Sequence, residues 1–279
     1  MELGLVDSPD AIFDGKTTLV IQYGRSPPEE VAIFAFLSGV TIWLDTVSCI
    51  TSGDSPRLLL FHPHAVACNS AIKLENIMGC QNCVVLQLAK IAALHDYKTQ
   101  GLKGGCLDIA KFKDRAENIR QELHSVVTEL SLVSLEVSSV PHASPTDPPL
   151  HQDVYLITRI FALAASIYLH LIVYGYQLET PEVRSTIADA MMILRMKMPV
   201  NLMNAIICPL YIVGSVAKRE DEQFFRDTFS SAPVLDASLE HRGRILPLLE
   251  EIWRTRDTTV TGWTWQDTAR LSDSNLLLI

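Results

Sequence analysis

Apolar positions along the chain are concentrated in one stretch near its middle, residues 155–176. Arg159 is the only full charge in this stretch, His170 is its only imidazole, and Gly175 breaks the pattern. A helix that is apolar on all sides is buried, either in a membrane or inside a larger helical protein. The uncharged run, residues 160–174, is shorter than the roughly 20 apolar residues that a membrane span needs. We therefore interpret the stretch as a buried core helix and expect no membrane span.

Helical periodicity also marks the chain on both sides of this stretch. No segment of useful length alternates between apolar and polar residues, as a half-buried strand would. The pattern predicts an all-α fold, with eight to ten helices in a single large helical domain around a buried central helix. Besides the central one, the predicted helices cover residues 29–50, 65–77, 82–98, 107–137, 181–197, 201–218 and 241–256.

Loop signals suggest how the domain is organised. Residues 138–149 include four prolines and show no periodicity, so they are predicted to form an exposed Pro/Ser-rich loop. This loop separates an N-terminal helical half, residues 29–137, from a C-terminal half, residues 150–257, that contains the core helix. Residues 1–28 are expected to be an N-terminal extension, and residues 258–279 a tail.

Composition and charge narrow the class of protein. Of the 279 residues, 48% are hydrophobic and 20% are charged, which is enough apolar material for one large core. The formal net charge is −9. Affinity for nucleic acid depends on Lys and Arg side chains that neutralise phosphates. We therefore expect no direct nucleic-acid binding by this chain.

The cysteines and histidines do not predict a metal site. Cys80 and Cys83 form a single CxxC pair, without the second CxxC or His pair that a structural zinc site needs. His62 and His64 form an HxH pair with no third ligand after them. The cysteines are predicted to be small, partly buried thiols in a reducing compartment.

Standard catalytic motifs are also missing from the sequence. It has no GxGxxG or GxxxxGK[ST] phosphate-binding loop, no GxSxG nucleophile motif and no HExxH zinc motif. The pattern DDxxD, with which helical isoprenoid synthases hold Mg²⁺, is absent as well. The sequence therefore assigns no catalytic residue and no cofactor.

Polar side chains that interrupt apolar helices remain as candidates for a ligand pocket. A buried charge is costly unless it has a partner. One hypothesis is internal pairing, for example of Asp45 with Lys90 or Arg159, and the other is a cavity that holds an anionic or polar ligand. The pattern leaves both hypotheses open. The candidates are Asp45, Lys90, Arg159, His170, Arg195 and Lys197.

Five segments carry short motifs that occur together in one known family. Residues 36–59 have an Asp within an apolar run and then a Thr-Ser-Gly turn, and residues 74–98 have Gly-Cys before an apolar helix. Residues 167–175 read Tyr-Leu-His and end at Gly, residues 208–217 contain a Pro-kinked helix, and residues 251–257 contain Glu-x-Trp. In this order the segments resemble the fungal-specific transcription factor domain, the regulatory domain that follows the zinc binuclear cluster in many fungal activators.

This resemblance implies a function without catalysis. The zinc cluster itself, with six closely spaced cysteines and a basic linker, is not found in this sequence. The chain is therefore expected to be a regulatory or interaction domain of a fungal transcription factor-like protein, without its own DNA-reading module. The resemblance further suggests a link to a secondary-metabolite gene cluster, a location in the nucleus or cytoplasm, and action through protein partners, self-association or a small-molecule effector.

An enzyme on a similar helical scaffold is the alternative hypothesis. Fungal biosynthetic clusters include non-standard, Mg²⁺-dependent sesquiterpene cyclases of the humulene synthase type. Such a site needs carboxylates for Mg²⁺ and cations for a diphosphate. Asp45, Glu75, Arg195 and Lys197 would be the residues to supply them.

Overall fold

A computed structural model describes residues 28–66, 70–139, 149–196, 198–236, 238–258, 262–271 and 276–279. Over these residues the protein is all-α and contains no strand, which confirms the predicted fold class. Nine of the α-helices in this part of the chain have at least seven residues, within the predicted range. The helices are α1 (Pro28–Ser52), α2 (His62–Ala65), α3 (Glu75–Met78), α4 (Asn82–Lys103), α5 (Ile109–Ser139), α6 (Pro149–Tyr174), α7 (Pro181–Met196), a 3₁₀ helix (Val200–Ile206), α8 (Ile207–Ser215), α9 (Arg219–Phe229), a second 3₁₀ helix (Glu240–Arg244), α10 (Ile245–Thr258) and α11 (Trp265–Leu271).

The central helix α6 is buried as predicted. Ile160, Phe161 and Tyr168 have no exposed surface, and the helix packs against α4, α5, α7 and α8. Gly175 ends the helix in a left-handed conformation, with φ of 68°. Only glycine adopts this conformation without a steric penalty, so the glycine seen in the sequence is the stop signal.

Two helices of the described chain are long and apolar enough to cross a membrane when judged by length and composition alone. They are Glu29–Ser52 and Gln152–Tyr174, and the most apolar window of the second is 78% buried within the protein. Burial by neighbouring helices is typical of a core helix, whereas the corresponding window of Glu29–Ser52 is only 39% buried. Two such helices are weak evidence and do not indicate a membrane protein. The first has several exposed apolar side chains near its start, among them Ile33, Phe36 and Leu37.

Helix α5 follows the amphipathic pattern that predicted it. Phe112, Ala116, Ile119 and Leu123 lie on one face and are all buried. Charged residues cover the other face, where they form exposed ion pairs of the kind that contribute little stability. The observed bounds, Ile109–Ser139, agree with the predicted helix over residues 107–137.

The prediction of one continuous helix over residues 65–77 is wrong. In the described part of this segment only the short helices α2 and α3 form, and the buried side chain of Asn82 explains why. Its Nδ2 donates to the carbonyl oxygens of Val66 at 3.2 Å and Ile72 at 2.8 Å, and its Oδ1 accepts from the backbone N–H of Leu74 at 2.9 Å. These long-range bonds satisfy backbone groups that a continuous helix would have bonded internally.

In the C-terminal half the structure confirms the interruption that the sequence predicts near Pro209. The helix predicted over residues 201–218 is divided into the 3₁₀ helix Val200–Ile206 and the α-helix Ile207–Ser215. Pro209 accounts for the break, because its ring collides with the carbonyl group four residues earlier and its nitrogen has no hydrogen to donate. The break therefore lies on the N-terminal side of the proline.

A further helix, α11, forms in the predicted tail. Trp265 begins this helix, is almost fully buried, and donates from Nε1 to the carbonyl oxygen of Ile50 at 3.1 Å. Its ring lies 5.0 Å from that of Tyr168 and 5.9 Å from that of Tyr211. Residues near both ends of the chain thus enter one core with α6. The division at residues 138–149 stays a prediction, and residues 140–148 lie outside the described part.

Candidate functional site

Of two cavities lined by described residues, the larger lies where α1, α3, α6, the first 3₁₀ helix and residues 276–279 meet. Its volume is about 370 Å³. Pockets for small molecules usually have volumes of roughly 300–1,000 Å³ and are lined mostly by apolar side chains. Its lining residues are Trp43, Ile77, Met78, Gly79, Ile157, Asn204, Ala205, Ile207, Leu278 and Ile279.

Gly79 allows the walls of this cavity to approach each other. It has φ of 81°, and a Cβ at this position would lie 2.5 Å from the Cδ1 of Ile157. Real Cβ contacts are essentially never that short, so a side chain here would force Ile157 to shift. On the opposite wall, the Trp43 ring packs edge-on against Phe161, with centroids 5.6 Å apart.

A buried arginine fixes the C-terminal wall. The Arg242 guanidinium donates to Asn204 Oδ1 at 2.7 Å, to the Ile279 carbonyl oxygen at 2.8 Å and to the Val234 carbonyl oxygen at 3.2 Å. Burial lowers the pKa of Arg242, and the nearby Asp236 acts in the opposite direction. Since Asn204 and Ile279 both line the cavity, Arg242 sets the position of its only side-chain amide without entering it.

The cavity lining is suited to binding and has no evident catalytic group. The described residues that line the cavity include no carboxylate, imidazole, thiol or amine side chain. An apolar molecule with one hydrogen-bonding group would match these walls, with Asn204 as its polar contact.

The predicted site residue Asp45 supports the chain after α1. Its two carboxylate oxygens accept from the backbone N–H groups of Arg57 at 3.0 Å and Leu58 at 2.9 Å. The Nε2 of His62 lies 3.4 Å from the same carboxylate. Burial lowers the pKa of His62, and Asp45 counteracts that shift in part. Asp45 therefore pairs with neither Lys90 nor Arg159, which were the partners suggested by the sequence.

Lys90 and Arg195 each have a nearby acidic partner. The Lys90 ammonium lies 2.7 Å from Glu122 on α5, and the Arg195 guanidinium lies 2.7 Å from Asp221 on α9. Both cations are partly exposed, with side-chain exposures of 32% and 43%. Each cation thus belongs to a surface ion pair that joins two neighbouring helices.

Arg159 and His170, both on α6, lie at opposite ends of its buried section. Arg159 Nη1 donates weakly to the Tyr155 hydroxyl at 3.4 Å, while its buried Nε has no partner among the described residues. His170 Nε2 lies 2.8 Å from the Gln177 carbonyl oxygen, just beyond the helix end. Glu75 is the first residue of α3.

Among the described candidates, no hydrogen bond or ion pair joins one to another, and none lines this cavity or the smaller one between α1, α4 and α11. Lys197 lies outside the described residues. In the same part of the chain, no group of three His, Cys, Asp or Glu side chains is placed to hold a metal ion. A ligand role for the predicted residues stays a prediction.

Sequence reasoning missed Arg242 and the cavity walls. Arg242 lies in the polar segment Glu240–Arg244 next to Arg244, which is exposed. Nothing in the local pattern distinguishes the two arginines, because only the fold brings Asn204 and Ile279 to the first. The cavity walls are formed by apolar residues that the sequence does not distinguish from the rest of the core. Gly79 was the one sequence feature that could have indicated a close approach of two helices there.

The family model described as fungal specific transcription factor domain matches residues 6–279. Pestheic acid cluster transcriptional regulator 3 of Pestalotiopsis fici is 35% identical over 256 residues, which are 91% of this chain and 45% of that protein. Transcription factor ntnD of Nectria sp is 28% identical, over 80% of this chain and 37% of that protein. Trichothecene biosynthesis transcription regulator TRI10 of Trichoderma arundinaceum is 26% identical, over 82% of this chain and 50% of that protein.

The chain thus spans about half the length, or less, of these relatives. No solved structure matches it. Because the relatives are described as transcription regulators, the comparisons support the regulatory-domain hypothesis and not the sesquiterpene cyclase alternative.

Proposed function

This chain belongs to the family of fungal-specific transcription factor domains, and on that premise we propose that it is the regulatory domain of a nuclear protein controlling a secondary-metabolite gene cluster. The observation that carries the proposal is the 35% identity to Pestheic acid cluster transcriptional regulator 3, over 91% of this chain. Two further relatives, regulators of trichothecene biosynthesis and of the ustiloxin B cluster, are named for similar roles. These relatives share a domain with this chain although their names refer to different pathways, which suggests a common regulatory function.

Deletion of the gene tests this proposal. We expect transcripts of neighbouring biosynthetic genes to change together, the product of that cluster to disappear or accumulate, and wild-type levels to return on complementation. A fluorescent fusion should locate in the nucleus. A deletion strain with no coordinated change in any biosynthetic cluster would contradict the proposal.

DNA contact is expected to come from outside this chain. The formal net charge of −9 opposes binding to a phosphate backbone. Purified chain should therefore leave a promoter duplex unshifted in a gel at physiological salt. A specific shift by the chain alone would show that it reads DNA itself.

A small apolar effector is the ligand that the larger cavity suits best. The argument is its volume of about 370 Å³, with mostly apolar walls and the amide of Asn204. The half-buried Ala205 lines the cavity, so Ala205→Leu would narrow it, whereas Ala188→Leu adds the same atoms at an exposed site.

The fluorescent probe anilinonaphthalene sulfonate measures this effect. We expect Ala205→Leu to weaken probe binding by about tenfold, since lost apolar contact of this size is worth 1–2 kcal/mol. Ala188→Leu should bind like the wild type. Equal binding by all three proteins would mean that the probe binds elsewhere and that the cavity is not an apolar site. Contacts with protein partners, or between copies of this chain, remain part of the proposal.

A further inference from the structure

A second, smaller cavity lies on a different side of α1, between its C-terminal end, α4 and α11. Its volume is about 120 Å³. A water molecule occupies about 30 Å³ in the liquid, and an engineered cavity of about 150 Å³ holds benzene, so this space fits a molecule of about four to six heavy atoms. Its walls include Gly53, His95, Thr99, Lys103, Gln266 and Arg270.

The buried imidazole of His95 has polar atoms without partners. Its side chain is only 4% exposed, and neither Nδ1 nor Nε2 has a hydrogen-bond partner among the described residues. A buried polar group without a partner costs free energy, so such groups are rare unless water or a ligand completes them. Gly53 lies directly against the ring, since a Cβ there would be 3.1 Å from Cε1 and 3.4 Å from Nδ1.

Hydroxyl and amide groups add hydrogen-bonding capacity to the same walls. Thr99 Oγ1 donates to Gln266 Oε1 at 3.3 Å, which links α4 to α11 across the cavity. The Gln266 amide nitrogen carries two N–H donors, and the Thr99 oxygen is an acceptor. The walls thus present donors and acceptors close to the His95 ring.

Among the described residues, the two charged side chains that line this cavity are both cations, although the whole chain is acidic. Lys103 and Arg270 are the two, and both are exposed enough to keep their charge in water. Arg270 Nη1 lies 3.3 Å from the carboxylate of Asp267, which is in the preceding turn of the same helix. This single contact leaves most of the five N–H donors of the guanidinium available.

Two other charges act on His95 from outside the cavity lining. Lys98 is held against the backbone, with its Nζ 2.6 Å from the Ile172 carbonyl oxygen, and Asp54 follows Gly53 in the chain. Neither lines the cavity. A small anion there would meet Lys103 and Arg270 first.

We propose that this cavity binds a small carboxylate anion of two to four carbon atoms, with Arg270 and Lys103 pairing with the carboxylate from the open side and the N–H groups of His95 and Gln266 donating to it from the inner side. The planar guanidinium matches a carboxylate in shape and in hydrogen-bond direction. The volume excludes larger ligands, such as the apolar effector proposed for the other cavity. The two sites share no lining residue.

Purified chain and sodium acetate provide the first test. Acetate is titrated at constant ionic strength and neutral pH, while the histidine ring nitrogens are followed by long-range ¹H–¹⁵N correlation, with His95→Gln to assign the signal. Acetate should shift the His95 signals in a saturable way. Acetamide has the same shape without the charge and should bind about tenfold more weakly, as expected for the loss of a charge-assisted pair.

Matched variants provide the second test. Lys103→Gln/Arg270→Gln removes both cations of the cavity and should weaken acetate binding by about tenfold or more. Lys218→Gln/Arg244→Gln removes one exposed lysine and one exposed arginine elsewhere and should bind acetate like the wild type. All four residues are exposed, so both double variants are expected to fold.

Three outcomes would overturn the proposal. They are an absence of saturable acetate shifts in the wild type, equal binding of acetate and acetamide, and tighter binding of inorganic phosphate than of acetate. The first would mean that the cavity holds water only. The inference does not depend on the proposed function, because binding to the purified chain is independent of any effect on transcription.

Discussion

The indole Nε1 of Trp253 donates a hydrogen bond to the carbonyl oxygen of Gly214, at 2.7 Å. The two residues come from two of the segments that carry the family resemblance, the Pro-kinked helix and the Glu-x-Trp segment. A Cβ at position 214 would lie 3.1 Å from Leu249 and 3.2 Å from Phe225, so glycine is what allows α8 and α10 to pack this closely. The two motifs are therefore the two sides of one helix contact.

Trp253→Phe is expected to destabilise the protein by leaving the Gly214 carbonyl without its buried donor. Such a loss costs about 1–3 kcal/mol, in addition to the smaller ring. Urea unfolding measures it. Trp43→Phe is the matched control, because Trp43 is similarly buried and no hydrogen bond from its indole is found among the described residues. A Trp253 variant no less stable than the Trp43 variant would contradict the argument.

Gly79→Ala should destabilise the protein for two reasons, and Gly105→Ala for only one. Both glycines have positive φ, 81° and 63°, so alanine is strained at each by about 1–2 kcal/mol. Only at Gly79 does the added Cβ collide, at 2.5 Å from Ile157, whereas Gly105 faces open space. The free energy of unfolding should therefore fall by about 1–3 kcal/mol more for Gly79→Ala. Equal losses would mean that α3 moves away freely.

Asp45→Ala is expected to cost about 2 kcal/mol, because two backbone N–H groups lose a charged acceptor. Lys90→Gln should change stability by about 0.5 kcal/mol or less, since it removes an exposed ion pair. Thermal or urea unfolding distinguishes these outcomes. The reverse order would mean that Lys90 has a buried role that its contacts do not reveal.

The protein should become less stable as the pH is lowered, because of His95. Burial, and after it the charge of Lys98, lower its pKa from 6.5 to about 4, while Asp54 acts in the opposite direction. Between these two values the unfolded chain binds a proton that the folded chain does not, so the free energy of unfolding decreases as pH falls through that range. A shift of this size corresponds to about 3 kcal/mol, lost between about pH 6.5 and pH 4.

Urea unfolding at a series of pH values tests this expectation. The slope of stability against pH should be smaller for His95→Gln than for the wild type. His124→Gln, which changes an exposed histidine, should keep the wild-type slope. Part of the slope should remain in His95→Gln, since burial also lowers the pKa of His62. An unchanged slope would show that His95 has the same pKa in the folded and unfolded protein, contrary to this argument.

Arg242→Met should destabilise the protein by about 3 kcal/mol, because three acceptors, of which the Val234 carbonyl oxygen is buried, lose a charged donor. Arg244→Met, in the same short 3₁₀ helix but exposed, should stay within about 0.5 kcal/mol of the wild type. Urea unfolding compares the two. Similar values would mean that the Arg242 contacts add no net stability.

Long periodic stretches were predictable because their structure depends on local spacing. The buried helix α6 and the amphipathic helix α5 follow directly from the positions of their apolar residues. The failed prediction over residues 65–77 has the opposite cause. There the structure depends on the side chain of Asn82, which bonds backbone groups far from it in sequence.

The sequence by itself determined the all-helical class, the buried central helix, its end at Gly175 and the resemblance to a regulatory family, since each depends on local pattern or short motifs. Tertiary structure alone decided which polar residues share a site. It gave Asp45, Lys90 and Arg195 separate partners, and it placed His95 beside Gln266 and Arg242 beside Asn204. The physical reason is that side-chain contacts between distant segments depend on how the helices pack, which spacing within any one helix does not specify.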